Sequence, residues 1–330
     1  VKQAVYFEEL EEDVLGCRLC PHHCRIEPGK TGICLARKNM RGMLYSSNYG
    51  ELTSFAIDPV EKKPLYHFYP GSEILSVGSW GCNLFCQFCQ NWEISKSRPK
   101  IIRRVDPEQL VEIALENDSF GIAFTYNEPI VSFEFLLDTS RAASKEGIIS
   151  LMVTNGVIEE EPLELLVQSV RAMNIDLKGW KEDFYKEHIG VDKRHVLRTI
   201  EKAVRSGVHV ELTTLIIPGL NDSTDDMIQE AQWIASLSED IPLHITRYFP
   251  NYKTEIPPTP PEAIFRLCST ARQYLNHVYA GNISASETGD TKCVECGALL
   301  IKRRGYSVTI GELDDEGRCK LCGKNAAVVV

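Results

Sequence analysis

Nowhere in the 330 residues does an apolar run approach the roughly 18 residues of a membrane-spanning helix, so no span is expected. An excess of positive charge is missing too. Lys and Arg number 36 against 46 Asp and Glu, a formal net charge of −10. That speaks against a dedicated nucleic-acid binder, and only a local basic patch could act that way. The opening Val1 to Leu10, with acids following, lacks the basic-then-apolar layout of a secretory signal. There is no internal repeat and no low-complexity tract. Apolar residues are ample for a core at 43%, and cysteine, with twelve, is abundant. Cys268 stands alone in a predicted helix; the others cluster at 17/20/24/34, 82/86/89 and 293/296/319/322. Without a secretory signal these clusters read as metal ligands rather than disulfides, in a reducing cytoplasm.

The central cluster organises the chain. Cys82, Cys86 and Cys89 form a C-x3-C-x2-C run directly after a strand-like Ile74 to Val77, and no fourth cysteine follows nearby. Three thiolates on a short loop can hold three corners of a [4Fe–4S] cluster and leave the fourth iron open. The competing reading, zinc, would normally want a fourth protein ligand.

Three regions are expected: 1–72, 73–284 and 285–330. The first opens with an acidic stretch, Glu8 to Asp13, expected to be helical. It then presents Cys17, Cys20, Cys24 and Cys34 in a C-x2-C-x3-C-x9-C pattern on Gly- and Pro-rich turns. Four thiolates close a coordination sphere, which suits either structural zinc or a second, fully ligated [4Fe–4S] cluster. His22 and His23 read as surface residues. The middle region alternates apolar strands (73–79, 121–126, 150–154, 172–177, 209–217, 242–249, 277–283) with helical patterns, which implies an α/β fold with a parallel sheet. Asp106-Pro107 predicts a helix start, and Thr259 to Glu262 a capping box. The third region carries two C-x-x-C-G knuckles, Cys293/Cys296 and Cys319/Cys322, around a predicted hairpin from Leu299 to Ile310. That is a zinc-ribbon pattern, with rubredoxin-like iron as the alternative. Ala326 to Val330 reads as a short strand or a docked tail.

Several strand ends carry polar residues: Asn127 and Glu128; Thr154 and Asn155; Asp176 and Lys178; the turn after Ile216; and His244, Thr246 and Tyr248 on one face of the sixth strand. Residue by residue, a carboxylate such as Glu128 accepts from an ammonium or merely caps the turn at Pro129. Asp176 and Lys178, two apart on a strand, share a face as an ion pair or as catalytic groups. Tyr248 is a packed tyrosine or a radical relay. Lys96 to Arg104, five basic residues with no acid, is a solvated loop or a hold for an acidic substrate.

The cysteine triplet, with the aromatic Phe88 between its last two members, resembles the radical SAM superfamily. The later segments Thr154-Asn155-Gly156, Asp176-Leu177-Lys178 and Ile216-Ile217-Pro218-Gly219 resemble the activating enzymes of glycyl-radical enzymes, such as that of pyruvate formate-lyase. Over its full length the chain resembles the radical SAM members of the AmmeMemoRadiSam system, through Cys20-Pro21-His22-His23-Cys24, Phe124 to Pro129 and the terminal cysteine pairs. The resemblance implies an open, partial (β/α)6 TIM-like barrel with chemistry at the C-terminal strand ends. It implies a [4Fe–4S] cluster on Cys82, Cys86 and Cys89, cleavage of S-adenosylmethionine to a 5′-deoxyadenosyl radical, and hydrogen abstraction from a substrate. Cofactor contacts are implied at Phe88, Asn127, Glu128, Thr154, Asn155, Asp176, Lys178, Ile216 and His244, and Lys178 and Tyr248 as groups near the reaction. The acid that precedes Thr-Asn-Gly in the activating enzymes is Val153 here, which leaves a cation site there in doubt. Partners implied are a flavodoxin or ferredoxin as electron donor and a protein substrate or proteins of the Memo and AMMECR types. Modification of a peptide, RNA or metabolite with an auxiliary cluster, and a zinc-stapled scaffold without catalysis, are the other classes.

Overall fold

The computed structural model describes residues 1–283 and 289–330. The expected boundary at 284/285 lies outside the described residues. One eight-stranded sheet dominates. Its strands are β1 (Ser54–Pro59), β2 (Glu73–Gly78), β3 (Gly121–Phe124), β4 (Ile149–Thr154), β5 (Ala172–Asp176), β6 (His209–Ile216), β7 (Leu243–Arg247) and β8 (Val278–Gly281). They neighbour one another in chain order. From β2 to β8 every pairing is parallel, whereas β1 is antiparallel to β2 at the edge. Parallel strands need crossovers, supplied by α1 (Pro107–Glu116), α2 (Phe133–Lys145), α3 (Glu160–Ser169), α4 (Arg194–Arg205), α5 (Thr224–Leu237) and α6 (Pro261–Ala271). Six βα units and a seventh parallel strand thus make the expected partial barrel. Its strands are short apolar runs because both faces are covered; all four residues of β3 are buried.

Local expectations fared unevenly. Asp106 caps α1 with a full capping box: its Oδ1 accepts from Gln109 N at 2.9 Å and its own N–H donates to Gln109 Oε1 at 3.1 Å. The box expected at Thr259 is absent. Thr259 Oγ1 instead donates to the Ile216 carbonyl and accepts from Tyr248 N, so it ties two strand ends together. The acidic stretch is no α-helix. Phe7–Glu9 pairs with Leu15–Cys17, and the turn between them holds Glu12 and Asp13 at φ +59°.

The lower end of the barrel is closed by the segment between β1 and β2. His67 N donates to Glu211 Oε1 at 2.7 Å, and Asn174 Nδ2 donates to the Pro64 carbonyl at 2.8 Å. The C-terminal region docks there. Arg303, on Leu299–Arg304, donates to the Tyr66 carbonyl, and Val329 forms a bridge with Phe68. Leu299–Arg304 and Ser307–Ile310 are the two arms of the expected hairpin. The tail is therefore docked rather than free.

Candidate active site

The cysteine loop leaves β2 at its C-terminal end and is pinned from three sides. Asn127 accepts from Ser79 N at 2.8 Å and donates to the Gly81 carbonyl at 3.0 Å. Asn83 Nδ2 donates to the Val157 carbonyl at 2.7 Å, and Lys96 donates to the Leu84 carbonyl. Gly81, at φ +92°, lies so close to the N-terminal region that a Cβ there would stand 2.4 Å from the Cys34 carbonyl oxygen.

Below the loop lies a cavity of about 380 Å³, lined by all three cysteines together with Phe88, Asn127, Glu128, Thr154, Asn155, Asp176 and Lys178. Glu128 is 3% exposed. Its carboxylate accepts from Thr154 Oγ1 (2.7 Å), Asn155 N (2.8 Å) and Ile130 N (3.0 Å), the last as cap of the turn after it. Burial pushes its pKa up to about 7. Lys178 Nζ sits 2.8 Å from Asp176 Oδ2. Burial would lower the Lys178 pKa, yet Asp176 and the Cys86 sulfur beside it raise it above the ordinary lysine value. Asn221 fastens the ends of β5 and β6, donating to the carbonyls of Lys178 (2.7 Å) and Leu215 (2.8 Å).

Three of the sequence-expected residues do not line this cavity. His244 turns to Glu211, with Nε2 2.6 Å from Oε2, and packs edge-on against Tyr66. Tyr248 is fully buried and donates to Thr254 Oγ1 at 2.8 Å. Ile216 is buried in the main core. Conversely, sequence reasoning passed over the cavity floor. Lys63 Nζ (2.6 Å), Lys62 Nζ (2.7 Å) and Tyr126 Oη (2.6 Å) all converge on Asp58. Although burial raises the Asp58 pKa, these three partners hold it well below the usual carboxylate range. Tyr126 reaches down because its backbone adopts φ +70°, a strained setting for a non-glycine residue. The basic segment does not face the cavity with free charge: Arg98 and Arg104 both bind Glu51.

The donor sets differ in a telling way. The four C-terminal sulfurs all lie within 4.8 Å of one another, with Cys293–Cys322 at 3.5 Å and Cys296–Cys319 at 3.6 Å. Among the described residues no other cysteine group is so tight. Cys82, Cys86 and Cys89 line the cavity together without forming so tight a group, and a multi-iron cluster offers each thiolate its own iron. Burial pushes the Cys82 thiol up to about 12 and raises that of Cys86; a bound cationic metal centre would favour their thiolates. The residues present fit a cluster.

Comparison with known proteins agrees. The Radical SAM superfamily profile matches residues 78–231. The chain is 43% identical, over the whole length of both, to the uncharacterized protein MJ0808 of Methanocaldococcus jannaschii. It is also 24% identical to the pyruvate formate-lyase 1-activating enzyme of Escherichia coli K12, over 44% of this chain and 61% of that one. The chain belongs to the radical SAM superfamily. This radical SAM enzyme shares its fold with solved members. A radical SAM methyltransferase from Sphaerobacter thermophilus superposes with a TM-score of 0.52 at 18% identity, covering 70% of this chain and 71% of that one. Streptococcus suis SuiB bound to S-adenosylmethionine gives 0.52 at 15%, covering 68% and 54%. Membership implies a [4Fe–4S] cluster and S-adenosylmethionine. No helix among the described residues is long and apolar enough to cross a membrane.

Proposed function

We propose that this enzyme cleaves S-adenosylmethionine reductively and abstracts hydrogen from a substrate in the manner of glycyl-radical activating enzymes. What carries the reading is one observation: the cysteine triplet and the polar ends of β3, β4 and β5 share a single cavity. When bound, the cluster and S-adenosylmethionine supply a 5′-deoxyadenosyl radical after one-electron reduction. The protein binds, orients and excludes water. Cys82, Cys86 and Cys89 hold the cluster. Glu128 and the Thr154-Asn155 turn receive the amino-acid end of the cofactor. Asp176 and Lys178 present one charge of each sign to its carboxylate and to the substrate. The three regions divide the work: the barrel runs the chemistry, the first region braces the cysteine loop, and the ribbon, holding zinc, closes the barrel below. Zinc suits the ribbon because its sulfur separations approach the edge of a tetrahedron with Zn–S bonds of about 2.3 Å. A one-electron donor of the flavodoxin or ferredoxin class completes the system.

A second reading, modification of a small polar metabolite, is favoured by the floor. Lys62, Lys63 and Tyr126 line the cavity and converge on the buried Asp58, a polar floor suited to a small polar molecule. The test is anaerobic reconstitution, dithionite reduction with S-adenosylmethionine, and assay for 5′-deoxyadenosine, first alone and then with protein or low-molecular-mass cell fractions. Production lost in Cys86→Ala supports the radical reading, and a cysteine triplet that assembles no cluster overturns it. Stimulation by the small-molecule fraction alone selects the second reading.

A further inference from the structure

The N-terminal quartet invites comparison with the two other cysteine groups of the same molecule. Cys17, Cys20, Cys24 and Cys34 line one small void, walled otherwise by apolar side chains such as Leu19, Ile26, Ile130 and Val131. All four cysteines therefore border one space. Yet they are not gathered as the ribbon sulfurs are: among the described residues only the ribbon quartet lies mutually within 4.8 Å. Around one zinc ion the sulfur separation is fixed near the tetrahedral edge, about 3.8 Å for Zn–S bonds of about 2.3 Å. In a [4Fe–4S] cluster each cysteine binds a different iron, so four sulfurs face one centre while standing farther apart. The quartet lines one void without the single-ion spacing of the ribbon, as that second arrangement requires.

A second observation is a buried cation in the wall of that void. Arg37 lines the same void and is 1% exposed. Its Nη1 is bound to Glu134 Oε1 at 2.7 Å, but its Nε and Nη2 have no partner. Buried N–H groups are rarely left unpaired. A cluster ligated by four thiolates is anionic and brings inorganic sulfides that accept hydrogen bonds. The two histidines of the motif are engaged elsewhere: His22 Nε2 lies 2.7 Å from the Asn83 carbonyl and His23 Nε2 lies 2.9 Å from Glu159 Oε1. That leaves a pure thiolate set.

We infer that Cys17, Cys20, Cys24 and Cys34 hold a second [4Fe–4S] cluster, fully ligated by protein and seated against the back of the Cys82 loop. With no open iron it is a one-electron carrier, not a place for substrate. Its position follows from the Cys34 carbonyl against Gly81, one residue before Cys82.

The test uses the full chain with Cys82, Cys86 and Cys89 all changed to Ala, reconstituted anaerobically with iron and sulfide. About four irons and four sulfides per chain should remain, with the electron paramagnetic resonance signal of a reduced [4Fe–4S] cluster. Adding Cys24→Ala and Cys34→Ala should remove iron and sulfide together while the ribbon metal stays, which reports that the chain still folds. A triple variant that retains no sulfide, whether it binds extra zinc or no further metal, overturns the inference. Because the triplet is absent from that protein, its result is independent of the proposed function: wild-type protein with about four irons, all lost in the triple variant, would uphold the radical reading and reject the second cluster.

Discussion

Two regions of this protein each present four cysteines, and they solve different problems. In the ribbon, two C-x-x-C-G knuckles turn their sulfurs onto one point, and Cys296 and Cys322 stay exposed. At the N-terminus the same number of sulfurs is strung over a longer, less symmetric pattern, and Cys17 and Cys34 are buried against the barrel. The ribbon site can form within its own 34 residues (289–322), whereas the N-terminal site needs α2 and the turn before it for its walls, through Glu134, Ile130 and Val131. One quartet is a self-contained staple; the other is a pocket that the barrel completes.

The sharpest way to break this contrast is to remove the staple. Changing Cys293 and Cys319 to Ser should eliminate the ribbon metal, whose binding in such sites contributes about 10–16 kcal/mol to folding. Limited proteolysis should then cut within 289–330 while the iron of the other sites is retained. Iron loss in parallel would show that the two regions are not independent. Next in size is Glu134→Ala, which strands the buried Arg37 and should cost about 3–5 kcal/mol. It should depress iron retention at the N-terminal quartet without altering zinc, read by thermal unfolding and metal count.

A third test uses Glu128, in the barrel cavity. The folded state keeps its proton up to about pH 7, while the unfolded chain releases it near 4.5. The folded state thus binds more protons in that window, so this group makes stability fall as pH rises through it, by up to ~3 kcal/mol. Glu128→Gln should flatten that slope. The same titration should make S-adenosylmethionine bind about tenfold tighter at about pH 8 than at about pH 6, because an ammonium prefers the carboxylate; the variant should lose this dependence in calorimetry. The smallest effect sets the baseline: Asp106→Ala should cost about 1 kcal/mol from the lost cap and leave both metal counts alone.

Much of this was legible in the sequence where the information is local. All seven parallel strands announced themselves as apolar runs, the hairpin by Gly305, and the cysteine groups by spacing. What escaped depends on distant partners. Strand β1 lies in the stretch assigned to the metal-binding region, and only its pairing with β2 makes it part of the barrel sheet. Lys62 and Lys63 belong to no motif in the sequence; only the fold brings both, with Tyr126 from beyond the end of β3, onto the buried Asp58. His244 and Thr246 share a face by alternation, but Glu211 on the neighbouring strand claims the histidine, and only Thr246 lines the cavity. Asn127 matched a cofactor-contact position, yet both of its side-chain atoms are spent on the cysteine loop.

The contact between Arg303 and Tyr66 has a consequence in time. The two residues are 237 positions apart. At synthesis rates of about 5–20 residues per second, the receptor for Arg303 exists for roughly 12–47 seconds before its ligand is made. During that interval Glu61, whose buried carboxylate lies 3.6 Å from the Arg303 guanidinium in the finished protein, has no such partner. The lower end of the barrel therefore closes only after the ribbon hairpin that carries Arg303 has been made.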